Sequence, residues 1–401
     1  MSYAPSGALV AAPTTSLPEA LGGGRNWDYR FSWLRDCAFA LYALSALGYG
    51  GEARSYMRFL LRCVRASLPE IRIMYGIEGE TSLVEAELDH LAGYAGSRPV
   101  RTGNGAYCQR QIDVYGQVLD LALLYETLGG RLDLQQRRLL EVFAAFVADH
   151  WGEPDQGLWE VRGPAGDFVH GMLMCWVALH RAIRLFGERP VWREARDAIA
   201  ARILAEGIDP SDGHLGQSLQ QPDRVDAAVL LAPALGFPLE PATLSATIEA
   251  VQARLAADDL VHRYRGEDGL AGDEGAFVAC SFWLVDALLA AGRQDDARAL
   301  FEQLLARAND VGLYAEEIDP TSGDFLGNFP QAFTHLALVG SAVNLELARG
   351  HGTSALTGGY AERARRAVGA TFGWRAIWAA LCNSGRVGRL RPSRDSVLLW
   401  P

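Results

Sequence analysis

The sequence predicts an all-α protein built as an (α/α)6 barrel, about twelve helices with six inner and six outer. Three observations point there. Apolar residues recur at i, i+3, i+4 and i+7 along nearly the whole chain, whereas strict alternation over six or more residues is scarce. Two kinds of helix alternate, one almost wholly apolar, as in Asp36-Cys37-Ala38-Phe39-Ala40-Leu41-Tyr42, the other amphipathic, as in Glu194-Ala195-Arg196-Asp197-Ala198-Ile199. The 401 residues exceed the roughly 250–300 that one ordinary core accommodates. A closed double ring of helices lets such a chain remain one domain over residues 1–401. An α-solenoid would require a fixed sequence period, and none recurs.

The predicted helices take their limits from Gly, Pro, Asp and Asn. The first, 35–48, stops at Gly48, and 52–66 follows Gly50-Gly51. Then 113–128 runs to Gly129-Gly130, 133–150 opens at Asp133, and 168–187 closes at Gly187. Helix 190–206 lies between Pro190 and Gly207, 223–235 ends before Gly236, and 242–256 follows Pro241. Helix 274–291 ends before Gly292, 294–309 at Asn309, 329–349 before Gly350, and 360–383 comes last. An extended segment, 1–25, precedes them and a tail, about 385–401, follows. Long connections at 67–112, 151–167, 257–273 and 310–328 are where function is expected, since long irregular segments in a compact domain usually carry it.

Composition narrows the partners. A formal charge of −11 with no Lys/Arg cluster excludes a polyanion such as nucleic acid. No run approaches the ~18 apolar residues of a membrane span, and the first twenty residues lack a basic and apolar leader pattern, so a cytoplasmic location is expected; a monomer is favoured, with the oligomeric state left open. The cysteines, Cys37, Cys63, Cys108, Cys175, Cys280 and Cys382, are scattered singly and read as reduced, mostly buried small hydrophobes. With no Cys or His at ligand spacing, no metal and no cofactor is expected.

The densest chemistry lies in Asn26-Trp27-Asp28-Tyr29-Arg30-Phe31-Ser32-Trp33-Leu34-Arg35-Asp36. Aromatic faces cover the C–H side of a sugar ring while arginine and carboxylate bracket its hydroxyls. Two loops add carboxylates. In Gly157-Leu158-Trp159-Glu160-Val161-Arg162, Glu160 stands between an indole and an apolar residue, surroundings that would desolvate a general acid. In Ala315-Glu316-Glu317-Ile318-Asp319, at most one of the adjacent glutamates faces inward. Taken alone, either site is more readily a surface carboxylate than a catalyst.

Together and in this order they resemble glycoside hydrolase family 15, the glucoamylase, glucodextranase and bacterial trehalase-like family, over roughly residues 5–350. Further blocks carry the resemblance: Met74-Tyr75-Gly76-Ile77, Gly96-Ser97-Arg98-Pro99-Val100-Arg101-Thr102-Gly103-Asn104, Glu274-Gly275-Ala276-Phe277 and Gly327-Asn328-Phe329-Pro330-Gln331-Ala332-Phe333. The resemblance implies inverting hydrolysis of a terminal α-glucosidic bond, with Glu160 as general acid and Glu316 as general base. It implies that Arg35 and Asp36 hold hydroxyls of the terminal glucose, that Arg263 lines the pocket, that Tyr29 lies near the oxocarbenium-like centre and that Trp33 packs beside it. Trp159 and Glu317 join these as substrate-binding candidates, and Asp28 is a weaker one. Where the family often has Tyr or His, Ser and Lys after the acid, this chain has Val169-His170-Gly171-Met172, which puts the leaving-group subsites in doubt. His170 could face the pocket or simply start a helix.

No β-sandwich or starch-binding module appears in the chain, so the expected substrates are short, isomaltose- or maltose-type α-glucosides. Trehalase with the same glutamates, or a non-catalytic glucan-sensing barrel, are the alternatives. For inversion, the two carboxyls should stand roughly 6.5–9.5 Å apart to admit water.

Overall fold

Six helical elements that are buried nearly all round form a closed ring, and amphipathic helices cover it from outside. The computed structural model describes residues 1–68, 71–266 and 268–369. In chain order the helices are α1 (Cys37–Ala46), α2 (Gly50–Ala66), α3 (Asp113–Thr127), α4 (Leu134–His150), α5 (Val169–Phe186), α6 (Pro190–Glu206), α7 (Ala232–Leu235), α8 (Pro241–Arg254), α9 (Val278–Ala290), α10 (Gln294–Ala306), α11 (Ala332–His351) and α12 (Tyr360–Gly369). The ring runs α1, α3, α5, α7 with the preceding 3-10 turn Ala227–Leu231, α9 and α11, which packs back on α1. Outside it, α2 lies on α1, α4 and α6 on α5, α8 and α10 on α9. This is the predicted (α/α)6 barrel.

Local sequence explains the boundaries. Asp133 and Gln136 form a reciprocal capping box that starts α4, and Pro190 and Pro241 open α6 and α8, where a missing N–H costs nothing. The predicted helix 223–235 is the main discrepancy, since residues 227–231 are a 3-10 turn and only 232–235 are α-helical. Pro233 explains it: it has no N–H for the Val229 carbonyl and its ring would clash with that carbonyl, so α-helical geometry starts only at Ala232, with Pro233 in the first turn of α7. Of the predicted 360–383 helix, 360–369 is described. Its remainder, the tail 385–401 and Cys382 lie outside the described residues. In α12, Tyr360 packs on Phe39 and Tyr42, and Arg363 donates to the Pro233 carbonyl, so this helix lies against α3 and α1 and reaches α7.

The N-terminal segment is more ordered than an extended arm. It pairs Ser2–Tyr3 with Ala8–Leu9 and Thr15–Pro18 with Asn26–Asp28, then ties to the barrel where Gly327 N donates to Pro18 O and Ala332 N to Ala11 O. Cys37, Cys63, Cys175 and Cys280 are free and buried, while Cys108 is free but exposed. Among the described residues no helix is long and apolar enough to cross a membrane.

Candidate active site

The segments that precede the inner helices converge on one pocket of about 540 Å³, its open mouth included, a size suited to a small ligand. Tyr29, Arg35, Trp159, Glu160, Arg263 and Glu316 all line it. Of the other candidates, Trp33, Asp36 and Glu317 are buried behind this lining.

Glu316 and Glu317 are separated by strand geometry. Glu317-Ile318 is the centre of a three-stranded antiparallel sheet between Ala276–Phe277 and Phe325–Leu326. Successive side chains along a strand point to opposite faces, which is why Glu316 reaches the pocket and Glu317 does not. Gly327 lets the backbone close over Glu316: its φ is +68°, and a Cβ there would lie 2.5 Å from Glu316 Oε2. Tyr29 Oη donates to Glu316 Oε1 at 2.6 Å. Burial pushes the Glu316 carboxyl up to about 7, with the Arg263 cation and the Tyr29 hydrogen bond pulling the other way.

Glu160 ends a tight turn. Gly157 and Glu160 both have positive φ, +66° and +59°, a conformation that costs a glutamate about 1–3 kcal/mol and persists only where surroundings enforce it. Here Gln109 Nε2 holds the Glu160 carbonyl at 3.1 Å, and Asp155 accepts the Gly157 N–H at 2.9 Å. The expected apolar sheath around Glu160 is not what the structure has. Its carboxylate accepts Trp33 Nε1 at 2.7 Å and Arg35 Nη1 at 3.1 Å, both on Oε1. The indole expected to desolvate it, Trp159, is instead pinned by Asp226, which accepts Nε1 at 2.9 Å.

An aromatic pair connects the two glutamates. Tyr29 on Glu316 and Trp33 on Glu160 meet edge to face with ring centroids 5.3 Å apart. Arg35 reaches in two directions, to Glu160 and through Nε to Asp36 Oδ1 at 3.1 Å. Asp36, at the start of α1, thus acts on the pocket through Arg35. Asp28 is structural: it accepts Nε and Nη2 of Arg30 and the Gly103 N–H at 3.0 Å. His170 lies in the first turn of α5, buried, with neither ring nitrogen hydrogen-bonded among the described residues; burial lowers its pKa to about 3.

Several lining residues went unrecognised in the sequence. Glu19 comes from the N-terminal segment, where Pro18-Glu19-Ala20 carries no pattern; its Oε1 accepts Trp27 Nε1 at 2.9 Å. Arg25, Asn104, Arg162, Tyr264 and Asp268 also line the pocket. Arg25 immediately precedes a block already singled out, and Asn104 and Arg162 are the last residues of two others, which was the available signal. Among the described residues, two groups of carboxylate or imidazole ligands could hold a cation, Asp209, Asp212 and His214, and Glu19, Glu274 and Glu317. The second already surrounds a cation. Arg263 Nη2 stands 3.6 Å from both Glu19 and Glu317 and bonds Glu274. Even so, burial pushes Glu19 up to about 8, against the pull of Arg263. Burial raises Glu317 well above the carboxylate range, and the charges of Glu19 and Glu274 add to it.

The arrangement offers one carboxylate held by two donors, a second buried beside a phenol, and guanidinium and aromatic groups around them, which is the equipment for acid-base chemistry on a glycoside. The family model described as Glycosyl hydrolases family 15 matches residues 1–343. The chain is 47% identical over 358 residues to a trehalase of Mycolicibacterium smegmatis, covering 86% of this chain and 53% of that protein. It is 40% identical to a trehalase of Thermoplasma acidophilum over 86% of this chain and 60% of the relative. The chain therefore spans about half to three-fifths of the curated relatives it matches. In fold it is similar to a bacterial glucoamylase solved with acarbose, at a TM-score of 0.66 and 16% identity over 92% of this chain and 55% of that one.

Proposed function

The chain belongs to glycosyl hydrolases family 15, and from that premise we propose that it hydrolyses α,α-trehalose to two glucose molecules with inversion at the attacked carbon. The observation that carries this reading is that Glu160 and Glu316, far apart in sequence, line one pocket and are joined through Trp33 and Tyr29. Glu160 gives its proton to the glycosidic oxygen as the bond from that oxygen to the anomeric carbon breaks. A water bonds to the same carbon from the opposite face, and its proton passes to Glu316. Trp33 and Arg35 both bond Oε1 of Glu160, so Oε2 is the oxygen suited to carry the proton. Arg35 and Arg263 supply positive charge near the reacting carboxylates, and the N-terminal ends of the inner helices, which carry partial positive charge, face the same region.

Trehalose replaces the isomaltose- or maltose-type substrate expected from sequence because the similar proteins at 47% and 40% identity are trehalases. A non-catalytic sensing role has no support from the pocket, since both glutamates are present and oriented by partners. Glucose release from trehalose, isomaltose and maltose at equal concentration tests the substrate. The highest kcat/KM is expected with trehalose, and a higher value with isomaltose or maltose would overturn it.

The base must be ionised to take a proton. With Glu316 pushed up to about 7, kcat/KM of the free enzyme should rise with pH through an apparent pKa near that value. Arg263→Gln removes the cation that pulls Glu316 down, so the acidic limb should move to higher pH. A limb that stays in place would show that Arg263 does not set the charge of Glu316.

A further inference from the structure

Asp268 is buried although it lies in an irregular loop, and it bonds to three separate stretches of chain at the pocket wall. Its carboxylate takes both terminal nitrogens of Arg25, at 2.8 and 3.1 Å, from the N-terminal segment. The same carboxylate accepts Tyr264 Oη at 2.8 Å and its own loop's Leu270 N–H at 2.9 Å. Its carbonyl oxygen accepts the N–H groups of Arg162 and Gly163, at 2.8 and 3.0 Å, in the chain that leaves Glu160. Arg25 tightens the joint further by donating to the Leu270 and Ala271 carbonyls and to Glu274.

Backbone contact supports the same joint independently. Gly269 has a φ of +83°, and a Cβ there would stand 2.6 Å from Gly163 N and 2.7 Å from the Arg162 carbonyl carbon. The two loops touch main chain to main chain, at a distance only glycine permits. On the other side of this contact is Glu160, whose own backbone is left-handed at φ +59°. A turn so strained needs restraint on its outgoing chain, and Asp268 is where that restraint is applied.

We propose that Asp268, anchored by Arg25, is a positioning residue for the general acid: it fixes the chain leaving Glu160 and so sets the reach of the Glu160 carboxyl to the glycosidic oxygen. This rests on Glu160 being the proton donor. A sugar hydroxyl leaves only if protonated as the bond breaks, whereas fluoride departs without a proton from the enzyme. A misplaced acid therefore slows glycoside cleavage and spares cleavage of α-glucosyl fluoride. General damage to the fold or to the glucose site slows both alike.

The test compares kcat/KM for trehalose and for α-glucosyl fluoride in wild type, Asp268→Asn, Arg25→Lys and Glu160→Gln. For the first two variants the fluoride-to-trehalose ratio should rise about tenfold or more, part of the ~10²–10⁴-fold that a general acid contributes. Equal loss on both substrates, or no change on either, overturns the positioning role. Glu160→Gln must show the same selectivity to a larger degree; if it does not, the acid assignment fails and the proposal with it. Should Asp268→Asn not fold, Arg25→Lys and Tyr264→Phe, which removes one bond to the Asp268 carboxylate, read the same ratio. If wild type prefers another α-glucoside, the ratio is taken with that substrate, so an error in the substrate leaves the positioning test intact.

Discussion

Glu316→Gln and Glu160→Gln should each lower kcat by about 10²–10⁴-fold or more with the fold intact, because each removes one proton transfer and little volume. The expected stability effects sharpen the test at Glu316. Its folded pKa is raised to about 7 from the ordinary 4.5, so its favourable contribution is fully present below the unfolded value and is lost as pH rises through about 7. Glutamine mimics the protonated acid and escapes that loss. The Glu316→Gln protein should therefore melt no lower than wild type at pH 8 while being nearly inactive. Glu317→Gln is the comparison, for Glu317 Oε2 accepts the Gly275 N–H at 2.8 Å behind the pocket. That variant should keep far more activity. If Glu316→Gln stays active and Glu317→Gln does not, the base is Glu317.

Arg35→Lys should cut kcat/KM by about a hundredfold although the charge is retained. The guanidinium serves the Leu158 carbonyl, Glu160 and Asp36 together, at 3.3, 3.1 and 3.1 Å, and lies 5.1 Å from the Phe333 ring centroid. An ammonium is a point donor that cannot span this fork or stack on the ring. Either buried Asp36 or half-buried Glu160 would lose its partner; breaking a buried pair costs ~3–5 kcal/mol, of which ~2.7 kcal/mol appearing in the transition state gives the hundredfold. Unchanged kcat/KM would place Arg35 outside the reaction.

The barrel was legible because its helices differ in kind: burial on all sides demands an apolar helix, burial on one side an amphipathic one. That logic failed at 223–235, where Ala227-Ala228-Val229-Leu230-Leu231 reads as an inner α-helix but winds as a 3-10 turn because Pro233 denies it α-helical bonds. Of the candidates named from sequence, Tyr29, Arg35, Trp159, Glu160, Arg263 and Glu316 line the pocket, most of them from dense polar-aromatic blocks. Strand alternation could have chosen between Glu316 and Glu317, had Glu317-Ile318 been read as a strand. Glu19 and Asp268 were out of reach, because their meaning comes from partners remote in the chain, Arg263 for one and Arg25 and Arg162 for the other. The environment of Glu160 was misread for a related reason. The adjacent Trp159 turns away to Asp226, and the indole that bonds Glu160 is the distant Trp33.

Proton NMR of the anomeric signals in the first minutes of trehalose hydrolysis tests the central claim most directly. With Glu160 protonating the shared oxygen and Glu316 delivering water from the opposite face, the attacked glucose is released as β and the departing glucose keeps its α configuration. The two anomers should therefore accumulate in equal amounts before mutarotation. Accumulation of α-glucose alone would mean retention, with a carboxylate acting as nucleophile about 5–5.5 Å from the acid, and would contradict the division of labour between Glu160 and Glu316.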